Sequence, residues 1–339
     1  FKIGQYYEAL TSFDRAVAIR TDYTEAWNGR GTVLANLGRF SEALDSCDKA
    51  IAINPGYFKA WSNRGWVLVN LGRNTESLES CDKAIEISPG YSEVWHIRGA
   101  ALGNLGRNSE ALDSCDKAIA INPHDVEAWN IRGNALNNLG RYDDALASYD
   151  RVTAINPNLS GAWYNRGNIL EKLGQSAEAL DSFDKAITIS PDYAEAWNNR
   201  GNTLVILGKH SDAIRSYDKA IEIRPDYTEA WYNRGFALCE LGRYDDAVTS
   251  YDRAIVINPD YAGAWYNRGL AFSELGQFED AVDSYDRAID INPYDPRLWN
   301  VRGNALVCLG RDSEAAVSYD TAMIINPDYA TVKQNHTES

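Results

Sequence analysis

The sequence predicts an all-α protein in which pairs of helices stack into a solenoid. The first observation is a Trp that recurs every 34 residues without an insertion, at Trp27, Trp61, Trp95, Trp129, Trp163, Trp197, Trp231, Trp265 and Trp299. A fixed period between about 20 and 50 residues is typical of stacked-repeat proteins. The second observation is that a Gly and a Pro recur at the same period, so each unit carries its own signals for ending helices.

The unit that begins at Ala230 shows why a first helix is predicted in each repeat. Its apolar residues Trp231, Leu238 and Leu241 are spaced by seven and three positions, which keeps them on one face of a helix. Gly242 follows, and Gly adopts the left-handed conformation that ends a helix at little cost. We therefore expect the first helices to end at this Gly, which recurs at Gly4, Gly38, Gly72, Gly106, Gly140, Gly174, Gly208, Gly242, Gly276 and Gly310.

A second helix is predicted in the other half of the same unit. Its apolar residues are spaced by three and four positions, which favours one buried helical face. They are Ala247, Val248, Tyr251, Ala254 and Ile255. The following Pro259 removes a backbone donor and disfavours a helical conformation in the residue before it, so we expect the second helix to end there.

This pattern of Trp, Gly, Leu-Gly, paired Ala and Pro resembles the tetratricopeptide repeat family over essentially the whole chain. The resemblance implies antiparallel helix pairs stacked into a right-handed superhelix, with the first helices lining a concave groove. On this basis, residues 1–26 form a partial repeat, with the end of a first helix and a second helix. Residues 27–332 form nine full units, and residues 333–339 begin another first helix.

Arg stands three residues after each Trp, where the family commonly has Leu, and an Asp recurs as regularly in the second helix. An Arg at a packing position is rarely buried without a partner. We therefore predict a ladder of Arg–Asp pairs, each from the Asp to the Arg of the next unit, because Asp14 lies in a truncated unit that lacks its own Arg. The alternative is that both side chains extend into solvent. The ladder includes Arg30, Asp48, Arg64, Asp82, Arg200, Asp218, Arg234, Asp252 and Arg268.

Composition limits the partners of the chain. The net charge of −15 argues against nucleic acid or an anionic membrane surface as the main partner and is compatible with a neutral or basic polypeptide. No apolar run reaches the roughly 18 residues that a transmembrane helix needs, so we expect no membrane span. Because a solenoid has no single core, the 339 residues do not imply several globular domains.

Three of the five cysteines occupy one equivalent position in successive second helices, namely Cys47, Cys81 and Cys115. Later units have Tyr or Phe at that position. Equivalent positions one repeat apart are too distant to bridge, since a disulfide needs Cα atoms within about 7 Å. We therefore predict three buried thiols, while Cys239 and Cys308 lie on first helices without evident mates.

A row of amide side chains marks the first helices. Asn stands two residues after the Trp in five units, with further amides and aromatic residues beside it. An amide offers a donor and an acceptor together and can therefore pair with a peptide backbone of any sequence. The row resembles the asparagine ladder of O-linked N-acetylglucosamine transferase, which implies binding of an extended peptide. The alternative is that the amides bind neighbouring helices. The predicted groove residues are Asn63, Trp66, Tyr164, Asn165, Asn168, Asn199, Asn202, Tyr232, Asn233, Tyr266 and Asn267.

The two ends of the chain match each other in repeat register. The end of one chain and the start of the next would together make a nearly complete first helix, and head-to-tail contacts of this kind give open assemblies. A filament would place Phe1, Ile3, Tyr6 and Lys333 at the junction. The alternative is a chain cut at arbitrary points.

Two triplets match the N-glycosylation acceptor pattern, at Asn158 and at Asn335. Such triplets also arise often by chance.

The sequence shows no catalytic constellation. Its four His residues fall at different repeat positions and have no metal-ligand spacing, and the glycines follow the repeat period without forming a phosphate loop. We therefore expect neither cofactor nor metal. The leading interpretation is a non-catalytic protein-interaction scaffold. The alternatives are a structural subunit of a head-to-tail filament and a regulatory segment of a larger enzyme. A scaffold slightly favours the cytoplasm, and a filament the outside of the cell.

Overall fold

A computed structural model describes residues 3–327, which form 19 α-helices and contain no β-strand. The chain divides into two compact units, Phe1–Leu173 and Gly174–Ser339. The helices of unit 1 are α1 (Ile3–Ile19), α2 (Thr24–Asn36), α3 (Phe40–Ile53), α4 (Phe58–Asn70), α5 (Asn74–Ile87), α6 (Ser92–Asn104), α7 (Asn108–Ile121), α8 (Val126–Asn138), α9 (Tyr142–Ile155) and α10 (Ser160–Lys172). The helices of unit 2 are α11 (Ser176–Ile189), α12 (Ala194–Ile206), α13 (His210–Ile223), α14 (Thr228–Cys239), α15 (Tyr244–Ile257), α16 (Ala262–Glu274), α17 (Phe278–Ile291), α18 (Pro296–Cys308) and α19 (Asp312–Ile325).

Within each unit, neighbouring helices pack in pairs. The even-numbered helices begin shortly before a repeat Trp and are the predicted first helices, and the odd-numbered helices are the second helices. Each of α14, α16 and α18 packs against the second helix of its own repeat and against the second helix before it. The all-α repeat fold predicted from the sequence is therefore confirmed.

The turn inside each repeat is set by a Gly with positive φ. At Gly38 φ is 75°, the amide of Gly38 donates to the Ala35 carbonyl at 3.0 Å, and the amide of Arg39 donates to the Leu34 carbonyl at 2.9 Å. This pair of bonds satisfies carbonyls that the helix end would leave unpaired. Eight further glycines at the same repeat position have φ between 70° and 74°. Gly4 differs from the expectation, since it lies inside α1 and does not end a helix there.

The turn between repeats is held by the repeat Trp. The indole Nε1 of Trp231 donates to the carbonyl of Pro225 at 3.0 Å, and the ring lies beside the guanidinium of Arg234. All nine repeat Trp residues donate to the carbonyl six residues earlier, at 2.9 or 3.0 Å. Trp and Pro recur together because the Pro lies in the turn and its carbonyl accepts the hydrogen bond of the Trp indole.

The core of each repeat depends on a Gly in the first helix. A Cβ placed on Gly235 would lie 2.6 Å from Cε1 of Tyr251, a ring that is 1% exposed. The Tyr251 ring thus occupies the space that the Cβ of any other residue at position 235 would need. In unit 1 the same role falls to the smaller Cys81, whose Sγ would lie 2.9 Å from a Cβ on Gly65.

The three aligned thiols are buried, as predicted. Burial raises the pKa of Cys47, Cys81 and Cys115 to about 12, because a thiolate loses its solvation there. In the part of the chain that the structure describes, no helix has both the length and the apolar character needed to cross a membrane.

Candidate functional site

The predicted Arg–Asp ladder is present in both units. The Nε of Arg234 lies 2.7 Å from Oδ1 of Asp218, in the second helix of the preceding repeat, which is the expected pairing direction. Its Nη1 also donates to Oγ of Ser250, in the second helix of its own repeat, at 2.6 Å. The nine pairs, all between 2.5 and 2.9 Å, are Arg30–Asp14, Arg64–Asp48, Arg98–Asp82, Arg132–Asp116, Arg166–Asp150, Arg200–Asp184, Arg234–Asp218, Arg268–Asp252 and Arg302–Asp286.

The Ser partner of the ladder was not expected from the sequence. Its hydroxyl donates to its own helix, as Ser250 does to the Asp246 carbonyl at 2.9 Å, and accepts from the Arg. Within each unit, these Arg side chains therefore join two consecutive second helices, as Arg64 does in unit 1 and Arg234 in unit 2. The regular Ser in the sequence is the available signal. The Arg charge is paired with an Asp, and a second N–H group donates to a Ser of the stack. The ladder therefore holds the helices together and leaves little of the Arg for a ligand.

The exposed residues of the first helices in unit 2 form one stripe, which we call the first-helix face. Along α14, its members are spaced by four, three and four positions and therefore share a side of the helix. None of the members is buried. They are Glu195, Asn199, Asn202, Ile206, Glu229, Asn233, Phe236, Glu240, Gly263, Asn267, Leu270, Glu274, Arg297, Val301, Asn304 and Cys308.

Two asparagines on this face are oriented by the preceding repeat. Nδ2 of Asn233 donates to Oδ1 of Asn198 and to Oδ1 of Asn202, both at 3.1 Å. Nδ2 of Asn267 donates to the hydroxyl of Tyr232 at 2.9 Å. The amide nitrogens therefore bind neighbouring helices, which was the alternative expectation, while the two amide oxygens accept no hydrogen bond within residues 3–327.

Most of the remaining predicted amides have partners of their own. Oδ1 of Asn202 also accepts from the buried Tyr217 hydroxyl at 2.8 Å, and Oδ1 of Asn199 accepts from Nδ2 of Asn198 at 3.2 Å. Asn165 and Asn168 lie half-buried on α10 of unit 1, and Asn168 interacts with other residues.

The aromatic residues predicted beside the row of amides pack largely against other aromatic side chains of the stack. The ring of Tyr232 lies 5.0 Å from that of Tyr261 and 5.9 Å from that of Tyr251. The ring of Tyr266 lies 6.4 Å from that of Tyr285. Tyr164 is half-buried on α10. These side chains therefore stiffen the first helices and present only part of their surface to a ligand.

The first helices α6 and α8 of unit 1 have Ile where α12, α14 and α16 of unit 2 have the row Asn. In unit 1, Ile97 takes the position of the row Asn, is 2% exposed, and packs with its Cγ2 about the small Gly65 of the preceding first helix. Contacts between α4, α6 and α8 are accordingly more extensive than those between α12, α14 and α16. In unit 2, the contact between neighbouring first helices includes amides, as between Asn233 and Asn198.

The two remaining groove residues of unit 1 are Asn63 and Trp66. Nδ2 of Asn63 donates to Oδ1 of Asn28 and to Oγ1 of Thr32, both at 2.9 Å, so it repeats the orientation seen in unit 2. Trp66 is half-buried and meets Phe40 edge to face, with ring centroids 6.3 Å apart. Local packing therefore accounts for much of the Trp66 surface.

Carboxylates dominate the charge of the first-helix face. Glu195 and Arg297 are in ion pairs with Arg224 and Asp295. The exposed Glu229, Glu240 and Glu274 have no ion-pair partner within residues 3–327.

The negative charge of these carboxylates affects the pKa of Tyr244, at the start of α15. Its pKa is raised, chiefly by the nearby charge of Glu274, with smaller contributions from burial, Cys239 and Glu240. Glu240, directly after α14, and Glu274, at the end of α16, therefore both influence the same phenol.

The other predicted sites are placed as follows. Asn158 is exposed in the turn between α9 and α10. Tyr6 packs beside the buried Leu10 cluster, and Ile3 begins α1. Phe1, Lys333 and Asn335 lie outside the described residues. Within residues 3–327, no group of three or more His, Cys, Asp or Glu side chains is arranged to hold a metal ion.

Comparison with protein families identifies the repeat. The model described as "TPR repeat" matches residues 133–174, 201–242 and 237–276. Models described as "Tetratricopeptide repeat" match residues 24–57, 160–193 and 262–295, residues 46–79, 114–147 and 182–215, and residues 92–125. The chain therefore belongs to the tetratricopeptide repeat family and has the fold of a protein-interaction scaffold. A search of curated proteins found no match.

Three of the solved structures that resemble this chain illustrate the fold. YrrB, described as a TPR protein with an unusual peptide-binding site, is 28% identical, with a TM-score of 0.48 over 54% of this chain and 94% of its own. A tetratricopeptide repeat protein from Parabacteroides merdae is 17% identical, with a TM-score of 0.52 over 74% of this chain and 98% of its own. The APC/C hetero-tetramer Cut9-Hcn1 is 13% identical, with a TM-score of 0.53 over 97% of this chain and 81% of its own.

Proposed function

We propose that the protein is a non-catalytic scaffold and that the first-helix face of unit 2 binds an extended polypeptide. The fold supports this role because stacked helix pairs present long surfaces on which a partner can lie. The partner expected from the charge of the chain is a neutral or basic polypeptide, with no role for nucleic acid or a membrane surface.

The orientation of Asn233 and Asn267 carries the proposal. Each amide nitrogen is fixed by a hydrogen bond to the preceding repeat, which leaves the amide oxygen as an oriented acceptor on the exposed face. Both residues occupy the same position in consecutive first helices. Oriented acceptors of this kind can accept hydrogen bonds from peptide N–H groups without reading the side chains. Since the side chains are held before the ligand arrives, binding costs little further ordering.

The test is peptide capture by the full chain. An array of random twelve-residue peptides identifies binders, and fluorescence anisotropy measures the Kd of the tightest one. The double substitution Asn233→Ala and Asn267→Ala removes both acceptors, and we expect the Kd to rise about tenfold, because each lost hydrogen bond contributes roughly 0.5–1.5 kcal/mol.

A matched control is Asn70→Ala. Asn70 is exposed at the end of α4, and its Nδ2 donates only to the Trp66 carbonyl of its own helix, at 2.8 Å. We expect this variant to bind as the native protein does. Circular dichroism checks that the double variant stays helical. An unchanged Kd in a folded double variant would contradict the proposal.

The end-to-end filament and the regulatory segment of a larger enzyme stay predictions from the sequence. Two of the four residues predicted at the filament junction, Phe1 and Lys333, lie outside the described part of the chain.

A further inference from the structure

The first-helix face of unit 2 combines exposed apolar side chains with carboxylates. Ile206, at the end of α12, is 64% exposed, and Phe236, on α14, is 40% exposed. Leu270 holds the position of Phe236 one repeat later and is half-buried. Apolar surface of this kind, bordered by polar residues, marks interaction sites on soluble proteins.

The carboxylates lie at one edge of this apolar surface. Glu240 and Glu274 stand at equivalent positions at the ends of the first-helix segments, four residues after Phe236 and Leu270. Both are exposed and have no ion-pair partner within the described residues. Both also contribute to the raised pKa of Tyr244, at the start of α15.

In the described part of the chain, the Arg side chains on the first helices of unit 2 are all paired away from this edge. The Arg side chains of the ladder are held by Asp and Ser between the second helices, as Arg234 is by Asp218 and Ser250. Arg297 on the neighbouring α18 pairs with Asp295. Within residues 3–327, the carboxylates of Glu240 and Glu274 are thus left to interact with a ligand or with solvent ions.

We propose that the occupant of this face is a basic amphipathic peptide segment. Its apolar side chains contact Ile206, Phe236 and Leu270, and a Lys or Arg lies between the carboxylates of Glu240 and Glu274. The inference rests on the proposed function, since it names the partner class of the same face. Attraction between the acidic edge and a basic segment also raises the association rate and makes binding sensitive to salt.

The test compares three synthetic peptides on the full chain. The first repeats Ser-Leu-Lys-Gly three times, and the others replace each Lys by Gln or by Glu. Fluorescence anisotropy gives each Kd. We expect the Lys peptide to bind about 3–10-fold more tightly than the Gln peptide, because exposed ion pairs are each worth roughly 0.2–1 kcal/mol, and the Glu peptide to bind most weakly. We also expect the preference to shrink as salt screens the charges.

The variant Glu240→Gln with Glu274→Gln should remove the preference for Lys and leave the affinity for the Gln peptide unchanged. The matched control changes as many charges on the exposed surface of α17, in the variant Glu279→Gln with Asp283→Asn. This control should keep the preference. Thermal unfolding verifies that both variants are folded.

The outcomes separate the two proposals. Equal affinity for all three peptides would overturn the basic partner and leave peptide binding in place, whereas no binding by any of them would overturn both. A change of oligomeric state in the Glu240 and Glu274 variant, measured by light scattering, would show that a second copy of the chain covers the face and would also overturn the basic partner.

Discussion

Replacing Gly235 by Ala tests the packing on which the first-helix face rests. The new Cβ would lie 2.6, 2.8 and 2.9 Å from three ring atoms of Tyr251, whereas unstrained carbon contacts lie at about 3.5–4.0 Å. The ring would have to move by roughly 1 Å. It is 1% exposed and packs in a cluster with Ala237, Leu238 and Ala271, so the space for this movement is missing.

Two effects oppose each other in this variant. Ala favours a helix interior over Gly by about 1 kcal/mol, while inserting a group into a filled core costs about 1–3 kcal/mol. Because the ring cannot withdraw, we expect overpacking to dominate and the free energy of unfolding to fall by about 1–2 kcal/mol. The control is Gly263→Ala in the same unit, where the nearest atom to a new Cβ is 3.5 Å away. We expect that variant to be neutral or slightly stabilised.

Urea denaturation followed by circular dichroism measures both variants, with the unfolding of each unit followed separately if the transition is not two-state. In a background that also carries Tyr251→Ala, the cost of Gly235→Ala should disappear, since the clashing ring is gone. Equal effects of Gly235→Ala and Gly263→Ala, or a cost that persists without the ring, would refute the reasoning.

Three further predictions concern the ladder, the thiols and acid stability. Arg234→Ala should destabilise the chain by about 2–3 kcal/mol, because it removes two charge-assisted hydrogen bonds from a guanidinium that is largely buried. Arg243→Ala breaks a similarly short but exposed pair and should cost less than about 1 kcal/mol. Equal losses in urea denaturation would contradict this. At pH 8 the exposed Cys308 should react with Ellman's reagent at once, and Cys239 more slowly. The three buried thiols have a pKa of about 12, so they should hold roughly 10³-fold less thiolate than ordinary cysteines and react only on unfolding. Fast reaction of four or five thiols would contradict this prediction. Burial acts to raise the pKa of Asp125, but hydrogen bonds with the His96 imidazole and from the Ala128 amide outweigh it and lower the pKa. The contribution of the Asp125 carboxylate to stability is therefore present above about pH 4 and lost as the pH falls. Asp125→Ala should cost about 1–2 kcal/mol at pH 7 and progressively less below about pH 4, and a pH-independent loss would contradict this prediction.

The fold could be read from the sequence because its signals repeat. Gly242 ends a helix through its own backbone conformation, and Trp231 bonds to a carbonyl only six residues away. The Arg–Asp direction also followed from the residues, because Asp14 in the first unit has only one Arg to meet. Local chemistry and strict periodicity were sufficient for these features.

The site could be predicted only in part. Whether Asn233 presents its nitrogen or its oxygen depends on Asn198 and Asn202 in another repeat, and the sequence alone does not orient an amide. The Ser partner of each Arg was missed because the Asp already explained the charge. Gly4 matches the helix-ending position in sequence but lies within α1, since the same residue type is tolerated inside a helix.

The central claim is that an extended peptide lies on the first-helix face of unit 2. The most direct measurement is site-specific photo-crosslinking with benzoylphenylalanine in place of Phe236, using the tightest-binding peptide from the array. The control carries the same photoprobe in place of Val256, which is 72% exposed on the second helix α15. We predict that mass spectrometry finds the peptide joined to position 236 and not to position 256. Crosslinking at position 256 alone, or equally at both positions, would contradict the account.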